Sequence, residues 1–171
     1  MRHDDVMSAD ATCAMCGRAR DEHNRHVRFM LPNAVLASAD RENTAGTWLS
    51  DADARTSVMM QVPGIGTFLR ALLPVALEGD ASVTFGVWLA IHPDELQRVF
   101  GVWWEPEYAE LVVDGWLANA LPVWGLLAAP VRAVVRNPDE TPYCDTSSDE
   151  QLAAVLTREW PHELVLGAID L

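Results

Sequence analysis

The sequence predicts an α+β fold, an antiparallel or mixed β-sheet with packed helices, preceded by a short Cys-x-x-Cys segment. Three stretches carry that expectation. Ser82 to Ile91 alternates, with Val83, Phe85, Val87, Leu89 and Ile91 on one face of a strand. Leu96, Val99, Phe100 and Trp103 follow at i, i+3, i+4, i+7, one helical stripe. Ser147-x-x-Glu150 and Ser148-x-x-Gln151 are capping patterns ahead of Leu152, Val155 and Leu156, and they predict a second helix from about Asp149 to Trp160. The 171 residues fit one domain over 1–171, with 1–33 as a knuckle-like N-terminal appendage. Hydrophobic residues make up 50% of the chain, which excludes wholesale disorder.

Taken in order, residues 1–11 read as a polar tail, followed by Cys13-Ala14-Met15-Cys16-Gly17 and a basic stretch from Arg18 to Arg28. Pro32 to Ala45 reads as a short helix or an irregular connection. Ser57 to Val62 is a strand closed by the turn Pro63-Gly64-Ile65-Gly66. Phe68 to Leu77 is a second strand, expected to break near Pro74 because proline cannot donate to a ladder. Glu78-Gly79-Asp80 turns the chain into the 82–91 strand. That strand is apolar on both faces (Gly86 and Trp88 lie opposite Val87), so it should be central and covered.

Pro93 suits a first helical turn, and Asp94 and Glu95 favour its N-terminal dipole. The stripe that follows should pack on the 82–91 strand. Beyond Glu105-Pro106-Glu107, Tyr108 to Val113 reads as a strand, Leu117 to Leu121 as a turn or short helix, and Val131 to Arg136 as an edge strand. Asn137 to Glu150 carries five carboxylates and no arginine and reads as a solvated loop. Pro161 interrupts the last helix, leaving a short helix or strand at the end.

Charge narrows the partners. The formal net charge is −13, and all twelve basic residues are arginine. Such a chain repels a phosphate backbone, so neither nucleic acid nor an anionic membrane is expected as a partner. Charged residues break every apolar run well before a membrane span, and the polar N-terminus lacks a signal-type apolar run. A cytoplasmic location is therefore expected. Three cysteines argue against a disulfide framework.

Cys13-x-x-Cys16-Gly17, Phe68-Leu69-Arg70, Phe85-Gly86-Val87-Trp88 and Gly115-Trp116-Leu117-Ala118-Asn119 with Pro122 occur in the order seen in a bacterial family, and the chain resembles that family, domain of unknown function 2199. The resemblance implies a further cysteine after a Ser-Asp pair, where this chain has Asp53. A family His-Pro pair near the C-terminal end has no clear counterpart here. The family carries no established activity.

For a metal, Cys13 and Cys16 are a thiolate pair at knuckle spacing, with His23, His26, Asp53 and Cys144 as candidates to complete four ligands. A structural zinc, a ligand-free remnant and a redox dithiol all remain open, and no other cofactor is indicated. Cys144 is a poor nucleophile, since Asp145 beside it would raise the thiol pKa. His92-Pro93-Asp94-Glu95 reads as a helix start rather than an acid–base pair, and His162-Glu163 likewise. Hydrolase, Walker and metalloprotease motifs are absent from the sequence.

For a ligand, Arg70, Trp88, Trp116 and Asn119 are expected in one neighbourhood, with Arg70 either clamping an anionic group or ion-paired to a carboxylate. Five of the seven tryptophans fall between Val83 and Gly125, either as core or as a pocket or partner surface. Two functions follow. One is a cytoplasmic accessory or immunity-like binding protein with an aromatic-rich surface for a small molecule or protein partner. The other is a cofactor-free enzyme, an isomerase or cyclase of small-molecule biosynthesis, using a Trp-lined pocket.

Overall fold

Two long strands organise the chain. The computed structural model describes residues 25–37 and 46–169. Within it β4 (Gly66–Leu77) and β5 (Ala81–Ala90) form a hairpin paired antiparallel from Phe68↔Ala90 to Leu77↔Ala81. The expected Glu78-Gly79-Asp80 turn joins them. Gly79 has φ 77° and Asp80 φ 66°, left-handed values that glycine adopts freely and aspartate tolerates.

The other strands dock on the hairpin's two outer edges. β1 (Arg25–Arg28) runs parallel to β5 over Val83–Gly86, and β6 (Val112–Leu117) pairs antiparallel with its end at Leu89 and Ala90. Along β4 sit, in turn, β3 (Met59–Val62), β8 (Tyr143–Thr146) and β9 (Glu159–Trp160). A two-residue β2 (Trp48–Leu49) adds to β3. β7 (Pro130–Val134) links β6 to β8, and β8 returns parallel to β4, so strands β4-β5-β6-β7-β8 close into a ring. The mixed, barrel-like sheet with helices agrees with the α+β expectation. The Cys-x-x-Cys segment lies outside the described residues, as does His23.

The ring encloses the main core. Leu69, Leu73 and Val75 of β4, with Val83, Phe85, Val87 and Leu89 of β5, have essentially no exposure. Helices α3 (Glu150–Thr157) and α4 (His162–Ile169) add Leu152, Val155 and Leu166 to the same cluster. On the hairpin's opposite face Phe68 and Trp88 pack with Met60, Val62 and Val35 in a second, smaller core. The segment after β1, Phe29 to α1 (Asn33–Leu36), covers that face.

Several expectations need correction. β4 runs unbroken through Pro74, which pairs with Thr84. The outer-edge N–H groups on this side bond Val58 O from Arg70 and Pro142 O from Leu72. Position 74 falls between β8 and β9, where the missing donor costs no ladder bond. The Asn137–Glu150 stretch contains β8, and Cys144 within it is fully buried. Residues 106–110 are a 3-10 turn holding the buried Tyr108, and the strand begins only at Val112. The capping residue of α3 is Asp149, whose side chain accepts from Leu152 N at 3.0 Å, and the helix stops at Thr157.

Helix α2 (Pro93–Val102) starts as expected, with His92 Nδ1 accepting from Asp94 N at 3.1 Å. Its buried stripe is narrower than the spacing implied. Leu96 and Val99 are buried and Trp103 is half-buried, stacked edge-on against Tyr108, but Phe100 is 48% exposed. At about 100° per residue, Leu96, Val99 and Trp103 share about 60° of arc, and Phe100 lies some 40° beyond it. The helix meets β4, and its Leu96 and Val99 join the core cluster that also holds Leu89 and Ile91 of the 82–91 stretch.

Candidate functional site

The outer face of the β4–β5 hairpin carries the candidate residues in rows. Cross-strand register places Phe68 beside Ala90, then Arg70 beside Trp88, then Leu72 beside Gly86. β6 extends the first row with Trp116 opposite Ala90, and β1 extends the third with Arg28 opposite Gly86. The covering segment crosses the middle row.

Arg70 is 4% exposed, and its guanidinium lies 4.3 Å over the Trp88 ring. Its Nε donates to Ser57 O at 3.1 Å and Nη1 to Phe29 O at 2.8 Å. Nη2 donates to Met30 O at 3.2 Å and Ala54 O at 3.3 Å. The expected carboxylate partner is replaced by four backbone carbonyls. Those dipoles solvate the charge without neutralising it. Burial first, and the nearby Arg28 second, bring the Arg70 pKa down from its usual 12.5 to about 10, so it stays cationic at neutral pH.

Asn119 and Trp88 hold the same segment from the other side. Asn119 Oδ1 accepts from Trp88 N at 2.7 Å, and its Nδ2 donates to Leu31 O at 2.9 Å and to Asn33 Oδ1 at 3.2 Å. Trp88 Nε1 donates to Met30 O at 3.2 Å. Arg70, Trp88 and Asn119 therefore converge as one bonded cluster that fixes Phe29–Asn33. Their polar atoms are committed mostly to backbone, with Asn119 also bonded to the Asn33 side chain and one Arg70 donor left over, and the Trp88 ring has no exposed surface.

Trp116 departs from the group. It is 50% exposed and lines an apolar groove of about 730 Å³ with Phe68, Ala90, Ala118 and Leu127. On the far side of the covering segment, a second cleft of about 730 Å³ is lined by His26, Arg28, Arg55 and Arg70 together with Gly86 and Thr141. A third, of about 460 Å³, lies between Met30, Leu31, Val35, Leu49 and Met60, with Asp53 also lining it.

Of the metal candidates, His26 is exposed on β1, Asp53 is exposed in a turn, and Cys144 is buried in the core. Asp53 Oδ1 accepts from Arg55 N at 2.8 Å. Among the described residues no group of three or more His, Cys, Asp or Glu is placed to hold a metal. The Cys144 thiol is pushed up to about 12, by burial and not by Asp145, while nearby Arg136 opposes the rise. Asp145 itself pairs with Arg136 at 3.2 Å.

Sequence reasoning missed an aromatic ladder on the surface. Trp48 meets Phe100 edge-to-face at 5.8 Å, and Phe100 meets Trp104 edge-to-face at 5.8 Å. The three rings are 37%, 48% and 73% exposed. No local pattern announces it, because β2 reaches α2 only through tertiary structure. Among the described residues, no helix is long and apolar enough to cross a membrane.

A family model described as an uncharacterised protein conserved in bacteria, DUF2199, matches residues 12–159. No curated protein and no solved structure matches the chain.

Proposed function

The chain belongs to that bacterial family, DUF2199, and we propose that it is a cytoplasmic, accessory or immunity-like binding protein whose partner surface is the Trp48–Phe100–Trp104 ladder. The carrying observation is the exposure of three large rings in mutual contact. Apolar side chains scattered singly on a surface need no explanation, whereas a contiguous aromatic set has the composition of an interface centre. Edge-to-face contact holds each ring in place, so little side-chain entropy is left to lose on binding.

Charge selects the partner. Glu105 and Glu107 are exposed in the turn that follows Trp104, and the chain as a whole is at −13. A protein presenting an apolar pocket with a basic rim matches both features, and the long-range field would speed its approach. The enzyme reading has weaker support. It needs an enclosed aromatic pocket with polar groups aimed at a reactant, and Trp88 is fully enclosed while the Arg70 and Asn119 bonds run to the chain's own backbone.

A photo-crosslinking residue at position 104, in cells of a source bacterium, should capture one protein in quantity, and the same group at Arg158 should not. With that protein purified, Trp104→Ala should weaken binding by about 2 kcal/mol, roughly thirtyfold, at unchanged melting temperature. Equal affinity for wild type and Trp104→Ala, or equal capture from position 158, would overturn the proposal.

A further inference from the structure

We infer that the cleft lined by His26, Arg28, Arg55 and Arg70 is a binding site for a small organic phosphate, separate from the aromatic ladder. Three segments distant in sequence supply its cations: β1, the turn before β3, and the centre of β4. Among the described residues, no carboxylate lines it. That is unusual in a chain with 25 acidic and 12 basic residues. Three arginines outside the cleft are neutralised, Arg98 by Glu95 at 2.7 Å, Arg132 by Asp114 at 2.8 Å and Arg136 by Asp145. Arg28 and Arg55 have no ion-pair partner among the described residues.

The site is built around one fixed charge. Arg70 is held rigidly by four carbonyls, which spend four of its five donors and leave its charge in place. Burial and Arg28 both work against that charge. An anion in the cleft offsets both at once, because it supplies the counter-charge that neither carbonyls nor Arg28 can give. Arg28 and Arg55 are exposed and adjustable, so they can close on oxygens that Arg70 positions. Gly86 keeps the floor open beneath Arg28: a Cβ there would come within 3.3 Å of the Arg28 Cγ.

Size and field fix the class of ligand. About 730 Å³ is the volume of a small-molecule pocket and leaves room for an organic body beside the anionic group. A tetrahedral phosphate presents oxygens in several directions, which suits guanidiniums arriving from three segments better than a planar carboxylate does. A long polyanion is disfavoured, because the net charge of −13 repels it everywhere outside the cleft.

The test uses pyrophosphate, with citrate as the carboxylate comparison, by titration calorimetry on the full chain at low salt. Pyrophosphate should bind at one site with Kd below about 1 mM and more tightly than citrate. The Arg28→Ala/Arg55→Ala double variant should lose at least about tenfold in affinity, while Arg132→Ala, which breaks a pair outside the cleft, should lose none. If the double variant does not fold, Arg55→Ala alone, in an exposed turn, carries the same comparison. No saturable pyrophosphate binding, tighter binding of citrate, or affinity unaffected by the cleft substitutions would each overturn the assignment.

Discussion

Arg70 is where one side chain decides whether a whole segment has a place to lie. Residues 29–31 form no strand or helix, and a backbone crossing a protein face must find donors for its carbonyls. Arg70 satisfies Phe29 and Met30 there and ties in Ala54 and Ser57 from a second loop. Arg70→Met should therefore cost about 3 kcal/mol in urea unfolding, since it strands the Phe29, Ala54 and Ser57 carbonyls, leaves Met30 O with Trp88 Nε1 alone, and keeps most of the apolar volume. Arg70→Lys should recover only part of that, because an ammonium has three donors and cannot fork across two loops. A loss below about 0.5 kcal/mol in Arg70→Met would show the carbonyls finding water instead. Some of this was legible beforehand. Arg70 in an apolar run signals a buried charge, and Asn119 two residues after Leu117 signals a side chain that fixes backbone. That the partners are carbonyls was not legible, since every backbone position offers one and no residue type marks it.

At the scale of elements, helix α2 shows how far periodicity reaches. Its start is set by local chemistry, His92 capping and Pro93 in the first turn, and both were readable. Its buried width is set by what lies beneath, and that was not. Phe100 falls outside the contact with the sheet and turns instead to Trp48 and Trp104. Phe100→Ala should accordingly cost about 1 kcal/mol or less, against about 2–4 kcal/mol for the buried Leu96→Ala, measured as unfolding free energies of the two variants. Reversed magnitudes would restore the full four-residue stripe. Strand β8 is the complementary case. Tyr143-Cys144-Asp145-Thr146 sits among acidic and turn-forming residues and has too little alternation to stand out. It becomes a strand because β7 and β4 offer edges on both sides, a tertiary cause that composition does not record.

Across the whole molecule, the hairpins and their turns could be read because their causes lie within a few residues. The closed ring could not. Its closure joins Leu72 to Tyr143, 71 positions apart (143 − 72), through a parallel contact that no turn residue specifies. Global stability should nonetheless report on it through Cys144. Its thiol, ordinarily near 9.0, is pushed up to about 12 by burial. The unfolded chain thus ionises near pH 9 while the folded protein holds its proton to about 12. Stability present below pH 9 is lost as pH rises through that window. Arg70, lowered to about 10, acts in the opposite sense, since the folded state sheds its proton before the unfolded chain does. The difference between wild type and Cys144→Ala isolates the thiol: the variant's stability should fall less steeply between pH 9 and 12, and parallel curves would contradict the burial. The seam itself has a kinetic consequence. β4 and β5 share ten register pairs, whereas β4 and β8 share one. Fluctuations that open the ring should therefore concentrate at β8, so that a thiol reagent reaches Cys144 through rare local openings, and its labelling rate becomes a clock for how often the barrel breathes.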